Sequence, residues 1–514
     1  MVYRWVVFGV FSFFVVLGGV VALIYAYQSS GLNGVVFSLE SGFYDEEIEL
    51  EIKPDGTLLM QPIDIKYNMN GDDLEETSVP YDEKIKLNIP DEGYNLYTIT
   101  AYACKEGGEC TEPQTATYVL GKNLGEDVTT DIININSSQK NLYDYDIGIM
   151  VGGRTYDENF ASGNINAKGN YNNRGKEWMR SAFVTGFNPG GSIIWEQEGY
   201  IGISGGSSSE YDVKSIKVSM ELQDGNTKTF RLRSGSQDRD MGNIRSSIVD
   251  RLAEESAFDG RTGTKRVVVF LNGNYYGLFD MQETFSEQNL AQKFQLSKSK
   301  NVKRVSGSEI DVFAAFDIKD EYWEDLDSVE NRDRIEELID MNDYLKYFAI
   351  FILTNNTDWP MNNFTVWRYE KGKMRDNKYE DGRIRFLIRD TDIIYHLDDN
   401  ANWFEGANGD IFQQIMDNEY RGAGSSFRKV MESEYYRQKF VDLLRDLIDG
   451  PFATENVLKI VDEEKSKIEH QIKLFYSDDE YEVWGRQIDL LKAAVSMREE
   501  QIRADVDRYF GVEL

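Results

Sequence analysis

The sequence predicts an α+β protein in which an all-β segment precedes a larger glycine-rich α+β region that ends in helices. Three patterns predict this. Apolar and polar residues alternate with a period of two through residues 35–121, glycine- and serine-broken strand patterns follow around 199–233, and helical periodicity takes over from about 330. At 514 residues, 41% hydrophobic and 13% aromatic, the chain can bury a large core and form more than one domain of the usual ~100–200 residues. Its formal net charge of −33 repels phosphate backbones and argues against a nucleic-acid partner.

The first element is apolar. From Trp5 to Tyr27, "WVVFGVFSFFVVLGGVVALIYAY" carries no charge, and a bilayer crossing needs roughly 20 apolar residues. A cleaved signal peptide has a shorter apolar core and a small-x-small cleavage site, neither of which is clear here. Residues 1–30 are therefore expected to be a transmembrane anchor, with a cleaved leader as the alternative. Arg4 before the span and acidic residues after it put the large C-terminal part outside the cytoplasm.

Residues 31–121 come next. "EIELEI", "IDIKYNM", "EKIKLNI" and "LYTITAYA" are half-buried strands separated by turns such as "KPDG" and "NGDD". Their spacing predicts an immunoglobulin-like β-sandwich. The two cysteines, Cys104 and Cys110 in "YACKEGGECTEP", flank a Gly-Gly turn, so a disulfide is expected in an oxidising compartment and free thiols in a reducing one. Residues 122–141 are polar and read as a linker.

The rest, 142–514, carries the candidate chemistry. "NIRSSIVDRLAEESAF" is a helix, and "RVVVFLNGNYYGLFDMQE" a hairpin around Asn-Gly. "RIEELIDMNDYLKYFAIFIL" and the C-terminal "VWGRQIDLLKAAVSMREEQIRADVDRYF" are helical. In "FAIFILTNNTDWPMNNFTVWRY" an apolar helix meets a knot of asparagines around one carboxylate, Asp358. Trp359-Pro360 ends the helix, since a residue before proline leaves the α region. Two strands follow, "FTVWRY" and "RIRFLIRDTD", the second ending at Asp390 with Asp392 two residues on. A helix, an Asp-x4-Asn loop, a hairpin and a strand-end Asp are the layout of a protein-kinase catalytic centre. There one Asp takes the hydroxyl proton while the Asn and second Asp hold Mg²⁺. Asp358 to Asn363 fits that spacing, and Asn362 is the one-residue alternative. Loop capping and solvation are the plain alternative for these side chains.

A second cluster, "GISGGSSSEYDVKSIKV", offers a Gly/Ser turn followed by Lys214 entering a strand, a possible cradle and cation for phosphates. Lys228, Arg231, Arg233, Arg239, Arg245 and Arg251 concentrate basic charge nearby, or pair with the acidic surface. A glycosidase with paired carboxylates would leave Lys214 and the asparagines unexplained.

From about Leu142 onward these motifs resemble the CotH family of spore-coat-type, atypical protein kinases. The resemblance runs through "NLYDYDIGIMVGG", "NYNNRGKEWMRSAFV", "GISGGSSS", "KSIKV", "FRLRSGSQD", "VVVFLNGNYYGLFDMQE", "NTDWPMNNFTVWR" and "FLIRDTD". Residues from "SGFYDEEIELEI" resemble a chitobiase C-terminal-like β-sandwich. The resemblance implies a reduced protein-kinase-like domain with a helical C-terminal part, using ATP and Mg²⁺ to phosphorylate Ser or Thr of a protein partner at the cell surface or envelope.

Carried across, Asp358 matches the catalytic Asp, Asp390 and Asp392 the metal-binding acids, and Asn363 (or Asn362) a further metal ligand. Lys214 matches the lysine expected on the phosphates, with Gly205, Gly206, Ser207 and Arg233 as cofactor-binding companions. Glu283 falls near the hinge after the hairpin, without an assigned role. The chain departs from the family's pattern at Asp212-Val213, where Pro-Gln/Lys-Lys-Ser is common. It departs again at Ser209-Glu210, where an arginine is common, and at "IIYHLDDN" after the second acid. These departures touch the phosphate grip and leave the acids intact. Some family members serve in adhesion, so an inactive surface or envelope-structuring protein is the alternative reading.

Overall fold

The computed structural model describes residues 31–56, 62–71, 77–106, 108–164, 166–222, 225, 227–360, 362–370, 377–395, 410–417 and 424–514. The apolar run Trp5 to Tyr27, where the anchor is expected, lies outside the described residues. Among the described residues no helix is long and apolar enough to cross a membrane. The chain divides into two compact units, Met1–Gly202 with Val268–Tyr276 and Ile203–Val267 with Gly277–Leu514.

The first unit opens with the expected β segment. It comprises β1 (Leu32–Phe37), β2 (Gly42–Tyr44), β3 (Ile48–Leu50), β4 (Ile52–Gly56), β5 (Ile63–Met69), β6 (Val79–Pro80), β7 (Ile85–Leu87), β8 (Tyr94–Lys105) and β9 (Gln114–Gly121). Strands β2-β9-β8-β5-β6 form one five-stranded sheet, parallel only at β2–β9. In place of a second continuous sheet there are two antiparallel pairs, β1–β4 and β3–β7, so the sandwich is less regular than the immunoglobulin-like pattern. The cause lies at Glu51. Ser38 donates its N–H to the Glu51 carbonyl and its hydroxyl accepts the Glu51 N–H. The run from Ile48 to Gly56 therefore switches partner from β7 to β1 at that residue. Leu50, Leu87, Ile99, Ala101 and Tyr118 are fully buried in the core these pieces share. Cys104 and Cys110 are disulfide-bonded across the β8–β9 turn.

The segment 122–141 is not an open linker. It contains β10 (Asp131–Asn136), buried along its whole length and antiparallel to β11 (Arg180–Phe187). The sequence "DIININ" looks polar, yet its isoleucines are fully buried, and Asn134 donates to the Thr98 hydroxyl at 2.8 Å. β11 pairs in turn with β12 (Ile193–Ser204).

In the second unit β13 (Ser215–Glu221) and β14 (Thr227–Arg233) form an antiparallel hairpin. β15 (Lys265–Leu271) leads to β16 (Asn274–Glu283), whose Asp280 lies opposite Arg233 of β14. β17 (Val302–Gly307), β18 (Phe364–Tyr369) and β19 (Arg385–Phe386) make a three-stranded sheet.

Among the described residues the helices of ten or more residues are α1 (Arg245–Glu255), α2 (Val329–Leu338), α3 (Met341–Leu353), α4 (Glu434–Ile448), α5 (Thr454–Phe475) and α6 (Asp478–Phe510). The helical run expected from 334 to 353 is broken in two. Asp340 caps α3 by accepting the Asp343 N–H, and Ile339 forms a bridge with Ile384. Side-chain capping of this kind satisfies an N–H that a helix start leaves unpaired. α6 opens with a capping box between Ser477 and Glu480.

Candidate active site

α3 is apolar on nearly every side and buried. It ends at Leu353, before the expected Trp359-Pro360 stop, because Thr354 is its C-cap and Asn355 turns left-handed at φ 52°. Short polar side chains tolerate that conformation best among residues with a Cβ. The chain then loops to β18, and each of the four asparagines in the loop has a distinct partner. Asn355 accepts the Ile411 N–H at 2.9 Å. Asn356, fully buried, accepts the Asp358 N–H at 3.2 Å and donates to the Asp390 carbonyl at 3.3 Å. Asn362 and Asn363 donate to the two carboxylate oxygens of Asp358 at 3.3 and 2.8 Å.

Trp359 anchors the same loop. Its ring is fully buried among Tyr347, Phe348 and Phe351, and its Nε1–H donates to the Tyr347 hydroxyl at 2.9 Å. The carboxylate of Asp358, next to it in sequence, is thereby fixed by packing on one side and amide hydrogen bonds on the other.

The second strand of the hairpin brings in the other acids. Pairing continues past β19, since Leu387 N–H donates to Thr365 O and Ile388 N–H to Gly260 O. Asp390 follows in the left-handed region at φ 57°. Asp358, Asp390 and Asp392 all line one cavity of about 550 Å³. The same cavity is lined by Gly205, Gly206, Ser207 and Ser208, with Arg231 and Arg233 of β14 and Arg389. Gly205 has to be glycine: its φ is 112°, and a Cβ there would meet the Ser208 Oγ at 2.5 Å. Gly206 has open space and no such requirement.

Arg233 is the hub. Its guanidinium contacts Asp390 and lies 3.0 Å from Asp392, with the arginine side chain only 6% exposed and Asp392 4%. Burial alone would lower the affinity of Arg233 for its proton. Asp390, Asp392 and Asp280 outweigh it and hold the proton more tightly than usual. Asp392 is pushed up to about 7, by burial first and then by the Asp390 charge, against the pull of Arg233. Asp390 goes the other way. Burial would raise it, but Arg233, Arg389 and Arg231 together hold it below the ordinary carboxylate range. Arg231 is lowered to about 10 by burial and by crowding from Arg233 and Arg389. Asp358 is raised to about 6, by burial and then by Asp390, while Asn362, Asn363 and Arg233 oppose the rise.

Lys214 is not brought to this wall. It is 5% exposed, and its ammonium donates to the Tyr211 carbonyl at 2.6 Å, at the foot of the Gly/Ser turn. Burial lowers its proton affinity, with Asp212 and Glu210 opposing. The cations facing the acids are arginines. Arg389 and the loop-bridging Asn356 were not singled out from sequence, and Arg231 only as one of six nearby basic residues. Arg389 was legible as the residue before Asp390, whereas Asn356 had no signal beyond the asparagine cluster.

The donor set is hard oxygen: three carboxylates and two amides. Mg²⁺ is usually held by one or two carboxylates plus phosphate oxygens and water, not by an all-protein cage. Among the described residues no group of three or more His, Cys, Asp or Glu is arranged to hold a metal unaided. Asp390, Asp392 and Asn363 line the cavity with oxygens of the kind a metal shared with phosphates takes.

The sequence profile of the CotH kinase protein family matches residues 201–502. The chain belongs to the CotH kinase family. The matched span holds the whole cavity described above, from Ser204 to Asp392. A kinase family of this type implies the use of a nucleotide and a divalent metal in general. The chain is also similar to a solved structure described as a Helicobacter pylori proinflammatory kinase, CtkA. That likeness has 12% sequence identity, 55% coverage of this chain, 91% coverage of that one and a TM-score of 0.23. No curated protein matches the sequence.

Proposed function

We propose that this CotH kinase is an ATP- and Mg²⁺-dependent protein kinase that phosphorylates Ser or Thr of a partner at the cell surface, tethered by the apolar segment Trp5 to Tyr27. The observation that carries the chemistry is the meeting of Asp358, Asp390, Asp392 and three arginines around one cavity that the Gly205–Ser208 turn also lines. Bound magnesium nucleotide supplies the transferable phosphoryl group and neutralises its charge. Arg231, Arg233 and Arg389 hold phosphate oxygens through charge-assisted hydrogen bonds. Asp390 and Asp392, with Asn363, would hold the metal.

Asp358 orients the acceptor hydroxyl and takes its proton as the oxygen bonds to phosphorus and the bond to the departing diphosphate breaks. Its carboxyl, raised to about 6, is ionised at neutral pH and still basic enough to accept that proton. Lys214 supports the turn through Tyr211, without touching phosphate. The test is Mg²⁺-dependent ATP binding and phosphate transfer by the full chain beside Asp358→Asn and Asp390→Ala. Asp358→Asn should bind and not transfer, and Asp390→Ala should lose both.

A second reading is a surface protein that kept the fold without turnover. It is favoured by one observation, that Arg233 already engages both metal-binding acids. Binding without transfer in the wild type would establish it.

A further inference from the structure

We infer that the donor site reads the polyphosphate and is indifferent to the base, so that other nucleoside triphosphates and inorganic tripolyphosphate bind much as ATP does. This inference rests on the kinase reading above. None of the sixteen described residues lining the first cavity has an aliphatic or aromatic side chain. Its grip is three guanidiniums, hydroxyls and backbone, all suited to phosphate oxygens.

A second cavity of about 480 Å³ neighbours it, with Ser204, Arg231 and Arg389 lining both. This is where the rest of a nucleotide would extend, and its lining is unusual for a base. Six side chains are hydroxyls, and four are cations: Lys217, Arg231, Arg304 and Arg389. Glu283 and Glu287 add two acids. Among the described lining residues Phe285 is the single apolar side chain, and it already packs against the core cluster of Leu290, Phe294 and Trp367.

Sites for flat organic ligands are mostly apolar, with a few placed polar groups. A base gains its sequence-independent affinity by stacking on aromatic faces. Here the polar groups dominate and the stacking face is one partly committed ring. Arg389 also crowds both Arg231 and Arg304 in this lining, and after burial it lowers the proton affinity of each. An anion relieves that crowding, whereas a neutral base does not.

The experiment is calorimetric titration of the full chain with ATP, GTP and inorganic tripolyphosphate, each with Mg²⁺. The three dissociation constants should fall within about tenfold of one another, the span of a single weak stacking contact. ATP binding more than about a hundredfold tighter than tripolyphosphate overturns base indifference and leaves the kinase reading standing. Failure of all three overturns both. As a second measurement, Arg389→Met should weaken all three by a common factor, and Phe285→Leu should leave tripolyphosphate unchanged. A loss in Arg389→Met confined to ATP and GTP overturns the inference.

Discussion

Removing the guanidinium of Arg233 should destabilise the second unit in a way that grows with pH. Arg233→Met keeps the length and apolar stem of the side chain and deletes the charge. At 3.0 Å from Asp392, the gross attraction is about 5–6 kcal/mol for an effective dielectric of about 20. Much of that is offset by desolvation, and breaking a buried pair by removing one partner costs about 3–5 kcal/mol in practice. The lower end applies, because Arg389 and Arg231 also hold Asp390. Asp392, the more buried acid, depends on Arg233 first among the cations near it.

The sign follows from Asp392. Its carboxyl stands at about 7 with Arg233 present and would rise further without it. A folded-state value raised above the unfolded one gives stability present at low pH and lost as pH climbs through the folded value. The variant should therefore lose about 3 kcal/mol at pH 8.5 and clearly less at pH 6, where Asp392 is protonated. Thermal melts at the two pH values measure this. A loss under about 0.5 kcal/mol at pH 8.5, the level of an ordinary surface change, would refute the reasoning that Arg233 neutralises these acids.

Further expectations follow from neighbouring residues. The acid limb of kcat/KM should have its midpoint near pH 6, where Asp358 ionises. Asn362→Ala, which removes a hydrogen bond that favours the carboxylate, should move that limb to higher pH in a pH–rate profile. Asp343 accepts the Phe386 N–H at 2.7 Å and is raised to about 7 by burial. It contributes stability at pH 4 that is lost as pH rises through 7, so Asp343→Asn should melt with a flatter pH dependence over that range. Lys214→Met should change the nucleotide dissociation constant by less than about tenfold, and Arg389→Met by more, as titration calorimetry would resolve.

Much of the site was legible in the sequence because its acids sit at punctuation points. Asp358 lies where an apolar helix gives way to polar residues, and Asp390 ends a strand pattern. Both are local signals, and both acids reach the cavity. The cations were harder. Lys214 and Arg233 each lie at the border of a strand, and alternation places successive side chains on opposite faces without saying which face meets the acids. The hairpin register decides it, pairing Ile216 with Leu232 and setting Arg233 opposite Asp280.

The same limit explains β10. "DIININ" lies in a stretch polar enough to read as a linker, yet it is a strand buried on both faces, a tertiary outcome that its own composition does not encode. The switch of partner at Glu51 depends on Ser38, thirteen residues away, and is equally invisible to a local pattern. The C-terminal helix was legible from its helical pattern from Val483, but its start at Asp478, set by the Ser477–Glu480 capping box, was not.

The most direct test is a crystal structure of the full chain grown with Mn²⁺ and a non-hydrolysable triphosphate, with anomalous scattering used to find the metal. The account requires the manganese at coordinating distance from Asp390 and Asp392, with the γ-phosphate facing Asp358. Manganese and phosphates ordered elsewhere, with Arg233 still joined to both aspartates, would contradict it.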